Sequence, residues 1–302
     1  MKRIAYLGPT CSFSPDTVWG GYVTTTHAYL TAFANDPEWK IDPLPSKSMK
    51  SVDEINAFCR GADLVHLDHA PMCGMMFKDG AQQPDIIGPM IKSPIKNYTG
   101  WTCPYTPDWF YRARVIRLNY QEEHHRHDLV TLVVHGVPTD MLTPANTPQA
   151  DRNLILWAGK KERFAKNYQL WEEVQKAPLE NGYQYKTLLN YHVRDYWQAL
   201  DTAAVVVVTS RYESFCSAAF QAMSKGVPVV WKKDLQGGPW EDAGIRCEYS
   251  AMGFRQGTQE ALDGGISAGK DARQYVIDHC SLKHMRESYA KVFKEVLNEK
   301  TA

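Results

Sequence analysis

Glu213 stands in SRYESFCSAAFQAMSKGVPVVWKK, which begins at Ser210, between an apolar run and a stretch of helical spacing. The amides of Ser214, Phe215, Cys216 and Ser217 would open that helix, and the unpaired N–H groups and dipole of a helix start favour a phosphate. A carboxylate beside an anion site serves as a paired acceptor for sugar hydroxyls, next to a diphosphate that the helix holds. The alternative is that Glu213 only caps its own helix.

Other clusters compete for attention. KSPIKNYTGWTCPYTPDWFYRARVIR, from Lys92, interleaves Lys92, Lys96, Arg112, Arg114 and Arg117 with Tyr98, Trp101, Tyr105, Trp109, Phe110 and Tyr111. Aromatics among cations stack nucleobases while gripping phosphates, or lie on an anionic membrane or lipid-linked sugar. Thr106 and Pro107 read as the N-cap and first position of a helix that carries the arginines, and the plain alternative is a core-facing aromatic helix with a charged outer face. GGISAGKD, from Gly264, satisfies most of a phosphate-binding loop. Asp271 stands where a Ser or Thr must ligate magnesium, and no buried strand precedes it, so the sequence argues against nucleotide hydrolysis. QEEHHRHD, from Gln121, is dense in metal ligands but lacks H-E-x-x-H spacing and reads as a solvated helix end.

Positioning Glu213 requires a strand that ends just before it. AAVVVV, from Ala203, is β-branched, apolar and too short for a membrane, which predicts a strand of a parallel sheet buried on both faces. Gly226 then closes the helix and VPVVW opens the next strand, so Glu213 falls at the carboxyl end of a parallel strand, where open α/β sheets bind ligands. Strand-like runs elsewhere form two blocks. RIAYLG, ADLVHLDH, PDIIGPMI and LVTLVVHG precede the unpatterned VPTDMLTPANTPQADR; NLILWAG, AAVVVV and VPVVW follow it. This predicts an α/β chain of two doubly wound Rossmann-like domains joined near residues 138–152. The stretch from Ala272 to Leu297 predicts an amphipathic helix long enough to pack across a neighbouring domain.

Composition narrows the class further. The 302 residues hold 34 Lys plus Arg against 34 Asp plus Glu, which argues against a whole-protein electrostatic grip on nucleic acid while allowing a local patch. Seven cysteines without a C-x-x-C pair suit a reducing compartment, and MKRIAYLG reads as a strand and turn, so the expectation is a soluble, cytoplasmic protein.

Four motifs in order carry a family resemblance across nearly the whole chain. WGGYVTTTHAYLTAF resembles the glycine pair and helix at the mouth of a first domain. HGVPTDMLTP and LWAGKKERFAKN resemble N-G-V-D-T-x-x-F-x-P and V-G-R-x-x-x-x-K-G. Glu213, Phe215, Ala222, Met223, Gly226, Pro228, Val229 and Val230 fit a Glu signature ending in A-M-A-x-G-x-P-V-V. The chain thus resembles glycosyltransferases of the GT-B fold, most similar to the retaining family 4 type. KGVPVVWKK carries a weaker local similarity to phage enzymes that glucosylate hydroxymethylated cytosine in DNA.

The resemblance implies two Rossmann-like domains facing a cleft. Residues 1–145 would form the acceptor side and 146–280 the nucleotide-sugar donor domain, with 281–302 a helix packing back. It implies that Glu213 contacts the donor sugar and that Ser214, Phe215, Cys216 and Ser217 hold the diphosphate. Lys161 and Lys166 would neutralise the leaving group, with Lys160 and Arg163 close by and Gly20 and Gly21 also on the donor side. His69 becomes the first-domain group near the reacting hydroxyl. Trp101, Arg112 and Arg114 become acceptor contacts, the acceptor being a hydroxymethylated DNA base, a glycan or a lipid-linked sugar. No Asp-x-Asp pair occurs, so transfer is expected to need no metal and no cofactor beyond the nucleotide-sugar co-substrate. Gln221 replaces the family's second Glu, and its amide would still serve the donor ribose. Ser214 and Cys216 replace glycines, and no strand with a glycine-rich turn is evident between Trp171 and Tyr196. A non-catalytic nucleotide-sugar binder is therefore the competing expectation.

Overall fold

A computed structural model describes residues 1–7, 21–44, 57–67, 98–101, 114–117, 130–144, 147, 151–178, 182–213, 215–235 and 243–298. The chain divides into two compact units. One comprises residues 1–12, 25–135 and 283–302, the other 13–24 and 136–282.

The first unit is built on six parallel strands: β1 (Lys2–Leu7), β2 (Trp39–Pro43), β3 (Leu64–Leu67), β4 (Tyr98–Trp101), β5 (Arg114–Arg117) and β6 (Val130–Leu132). Their order is β2-β1-β3-β4-β5-β6. The second unit repeats the plan with β7 (Leu154–Gly159), β8 (Gln184–Leu189), β9 (Ala203–Val208), β10 (Val229–Lys232) and β11 (Ile245–Cys247), ordered β11-β10-β9-β7-β8 and again parallel. Both are doubly wound α/β sheets. In each, the order reverses between the first and third strands, which opens a crevice at their carboxyl ends.

Around these strands run α1 (Gly21–Ala32), α2 (Tyr168–Val174), α3 (Val193–Thr202), α4 (Ser217–Ser224), α5 (Ala251–Cys280) and α6 (Leu282–Asn298). In the second unit every residue of β9 is buried, as its apolar run predicts. Trp157, Trp171, Val205, Val207 and Phe254 form the core between this sheet and helices α2 and α5. In the first unit α6 lays Tyr289 and Phe293 against Tyr29, Phe33, Trp39 and His66. Arg286 there bonds to Asp36, whose side chain is fully buried. Burial opposes that charge, but the guanidinium and two backbone N–H donors prevail and hold the Asp36 carboxyl below the usual range.

Three sequence expectations change. The strand not evident between Trp171 and Tyr196 is β8, an edge strand with exposed alternate residues, and its turn is made by Asn190 at φ 46°. Asparagine tolerates the left-handed region and so serves where glycine was sought. Arg114 and Arg117 belong to strand β5, not to a helix begun at Thr106; the β-branched Val115 and Ile116 between them suit a pleated strand. Thr106 and Pro107 lie outside the described residues, as does the expected strand from Pro84. The single terminal helix is two, broken at Ser281, whose extended backbone (φ −71°, ψ 160°) bridges Val137 while the Val137 N–H donates to the Cys280 carbonyl (2.7 Å).

GGISAGKD runs inside helix α5, which removes any phosphate loop there. Its Gly269 is explained by packing: a Cβ at this position would collide with the Gly226 carbonyl. Gly269→Ala is therefore expected to destabilise the second unit by about 1–3 kcal/mol, the usual cost of forced overpacking. Unfolding in urea measures it; an unchanged midpoint would show that α5 can shift to make room.

Candidate functional site

The ends of β7 and β9 define the crevice of the second unit. After β7 the chain makes a short loop from Lys160 and a 3₁₀ turn, Phe164–Lys166, ending at Asn167 in the left-handed region (φ 47°). After β9 it passes through Thr209 and Ser210 to Glu213. Beneath, the Thr209 hydroxyl accepts from the Trp157 indole (2.9 Å) and donates to the Lys166 carbonyl (3.0 Å). The Arg211 N–H donates to the Ala165 carbonyl (2.7 Å), so the two loops are stitched together by bonds that leave their side chains for other work.

Lys166 and Glu213 meet there. The ammonium donates to Glu213 Oε1 at 2.5 Å, and the Ser210 hydroxyl donates to the same oxygen at 2.6 Å. The side chains are only 19% and 10% exposed. Burial pulls the Lys166 pKa down, but the Glu213 carboxylate beside it prevails and holds it above the ordinary lysine value. Cys216 lies alongside; burial, reinforced by the Glu213 charge, pushes its thiol up to about 12, so it stays protonated and inert as a nucleophile. A cavity of about 10 Å³, room for one water, lies below Lys166, Ser210 and Cys216.

Helix α4 points its start at this pair. It begins at Ser217, three residues later than the sequence suggests, with Cys216 as a non-helical N-cap (φ −83°, ψ 75°). Phe215 therefore lies outside the helix and stacks on Phe220 at 4.6 Å, a hydrophobic staple that fixes the entry angle. The Ser217 N–H is turned back to the Phe215 carbonyl (3.0 Å). At the other end Gly226 (φ 73°) donates to the Met223 carbonyl and Val227 to that of Ala222, the two bonds of a Schellman cap. Among the described residues the Glu213 carboxylate takes its bonds from the Lys166, Ser210 and Cys216 side chains and from no backbone N–H of this helix.

The remaining predicted residues scatter. Lys161 leaves the pair, with its ammonium over the Tyr168 ring (4.8 Å) and 3.9 Å from Glu172. Lys160 and Arg163 are exposed on the same loop. Gln221 is buried, its carbonyl oxygen accepting from the Trp197 indole (3.0 Å), instead of reaching out from the helix. Trp101 and Arg114 lie on β4 and β5 of the first unit, and Gly21 opens α1. His69, Gly20, Arg112, Ser214 and the QEEHHRHD stretch lie outside the described residues.

Sequence reasoning passed over Ser210, Arg211 and Tyr191. Arg211 spreads over the exposed Phe164 ring (4.4 Å) and donates to Asn167 Oδ1 (3.3 Å). Tyr191 follows Asn190 at the end of β8 and leans on Tyr196, ring centroids 5.3 Å apart. The signal was position: all three lie just past the ends of β8 (Leu189) or β9 (Val208). A larger recess, about 680 Å³, runs along α6 of the first unit between Glu38, Arg286, Lys291 and Lys294; charges of both signs line it and none of the predicted residues does.

Two doubly wound Rossmann-like units in one chain match the GT-B fold, and solved structures bear it out. A sucrose-phosphate synthase from Thermosynechococcus elongatus superposes with a TM-score of 0.69 at 14% identity, covering 99% of this chain and 100% of that one. A glycosyltransferase from Rickettsia africae ESF-5 gives 0.67 at 15% identity over 98% of each chain. An α-glucosyltransferase solved with UDP and a 13-mer DNA gives 0.68 at 9% identity, covering 97% of this chain and 100% of that one. No protein-family model and no curated protein matches the sequence. At these identities the likeness establishes the GT-B fold. Among the described residues no helix is long and apolar enough to cross a membrane.

Proposed function

We propose that the protein is a glycosyltransferase that moves a sugar from a nucleoside-diphosphate sugar to an acceptor hydroxyl in the cytoplasm. The observation that carries this reading is the meeting of Lys166 and Glu213 at the β7/β9 switch point, in front of α4. Glu213 accepts from donor-sugar hydroxyls, and Lys166 with the helix start balances the charge that grows on the diphosphate. The bond from the anomeric carbon to the diphosphate oxygen breaks as the bond to the acceptor oxygen forms. The acceptor proton passes to the departing phosphate oxygen on the same face, so configuration is retained, no strong base is required and Lys166 supplies the cation without a metal. The acceptor is a hydroxylated base in DNA, supported by the structural neighbour solved with DNA and by the cationic aromatic segment from Lys92 to Arg117. Trp101, Arg112 and Arg114 would contact it, with His69 near its hydroxyl.

Gln221 supports the competing reading, a nucleotide-sugar binder without turnover, because its carbonyl is committed to Trp197. Thermal unfolding with UDP, GDP, ADP, dTDP and CDP and their sugar conjugates tests the donor site. A ligand at a hundred times its dissociation constant adds about 2.7 kcal/mol. The stabilising conjugate is then incubated with hydroxymethylated duplex DNA, glycans and lipid-linked sugars. Sugar on the DNA, lost in Glu213→Ala, is the expected result. Transfer only to a glycan or lipid replaces the acceptor, binding without transfer favours the binder, and no stabilisation by any nucleotide overturns the donor site.

A further inference from the structure

Among the described residues of the crevice, the Arg211 Nε–H has no hydrogen-bond partner, and neither has the Tyr191 hydroxyl, which stands nearer the ion pair. Lys166, Ser210 and Cys216 all direct their polar hydrogens to Glu213. Tyr191 comes out beside them: β8 pairs with β7 in parallel up to Gly159↔Leu189, so the chain after β8 emerges next to the loop after β7 that carries Lys166. Among the described residues that hydroxyl makes no hydrogen bond, although the ring itself is firmly held. The left-handed turn at Asn190 ends β8 and sets the ring against Tyr196. Tyr196 in turn donates to the Ala218 carbonyl in the first turn of α4 (2.6 Å). Tyr191 is thus packed against the residue that is bonded to the first turn of α4.

We propose that the Tyr191 hydroxyl is a diphosphate ligand, donating to the terminal phosphate of the nucleoside diphosphate beside Lys166. The inference rests on the donor-site reading above. Burial pushes the phenol up to about 12, against the opposing pull of Lys166, so at neutral pH it carries a proton to donate and no charge to repel a phosphate. A phosphate drawn to the ammonium offers acceptors only, which is the complement of an idle O–H. Glu213, an acceptor, takes the sugar side.

The test compares two ligands in one variant, so it does not depend on how well the variant folds. UDP and UMP, or the same pair on whichever base the wild type binds, are titrated calorimetrically into wild type and Tyr191→Phe. Phenylalanine keeps the ring on Tyr196. Loss of a hydrogen bond to a charged group weakens diphosphate binding about 10- to 100-fold, whereas the monophosphate, lacking the terminal phosphate, binds within about twofold of wild type. Equal diphosphate affinity in the variant overturns the assignment, and so does an equal loss for both ligands, which would put the hydroxyl on the inner phosphate or nucleoside. A wild type that binds neither ligand is the separate failure of the donor site itself, and the assignment falls with it.

Discussion

Lys166→Met lowers the unfolding free energy by about 3 kcal/mol, the usual penalty for removing one partner of a buried ion pair. The reason is local: Glu213 is left as a nearly enclosed carboxylate with the Ser210 hydroxyl and the Cys216 thiol as its remaining donors. Lys166→Met combined with Glu213→Gln removes both charges and regains most of that loss, because a neutral amide carries a far smaller desolvation cost. Urea unfolding of the three proteins separates the terms. A single variant as stable as wild type would mean that water reaches Glu213 more freely than the packing indicates.

The same substitution has a larger consequence for the proposed reaction. With the donor that stabilises the wild type, Lys166→Met is expected to slow transfer about 100- to 1,000-fold, the range for deleting one preorganised group from a developing anion. Lys161→Met is expected to change it little, since that ammonium rests over Tyr168 and faces Glu172. If the two variants lost activity equally, the loop from Lys160 would have to rearrange on binding and the pairing seen with Glu213 would not be the working one.

The sequence disclosed strands in proportion to how deeply they are buried. β9 announced itself because both its faces are covered, which leaves no polar residue to interrupt AAVVVV. β8 stayed hidden because an edge strand alternates polar residues with apolar ones and ends in Asn190 where a glycine was sought. The site followed the same logic. Glu213 was legible from its place between a readable strand and a readable helix. Its partner was harder to single out, because Lys160, Lys161, Arg163 and Lys166 share one short loop, and only the 3₁₀ turn at Phe164–Lys166 decides which cation faces β9. The bond from Trp197 to Gln221 was illegible for a related reason: helical spacing fixes a face but not what packs on it, and Trp197 comes from α3, outside the reach of a local pattern.

The first unit carries a pH dependence of its own. His66, at the reversal of strand order beside β1, is fully buried among aromatic rings: Tyr29 at 4.9 Å, Tyr6 at 5.8 Å, Tyr289 at 5.7 Å and Phe293 at 6.3 Å. Burial drives its pKa from 6.5 down to about 3, so the folded unit holds it neutral while the unfolded chain protonates it near its ordinary value. The unfolded state then binds more protons between those two values, and stability falls as pH falls through that window. At pH 5 the loss amounts to about 2 kcal/mol, since each unit of separation contributes about 1.4 kcal/mol. His27 on α1, also lowered by burial, adds in the same direction. His66→Phe keeps an aromatic ring in the cluster and removes the titrating group, so its urea midpoint should drop less than the wild type's between pH 7 and pH 5. Carboxylates that titrate in the same range act equally on both proteins and cancel in the comparison. Equal drops would mean that folded His66 accepts a proton at little cost, which requires water among those rings.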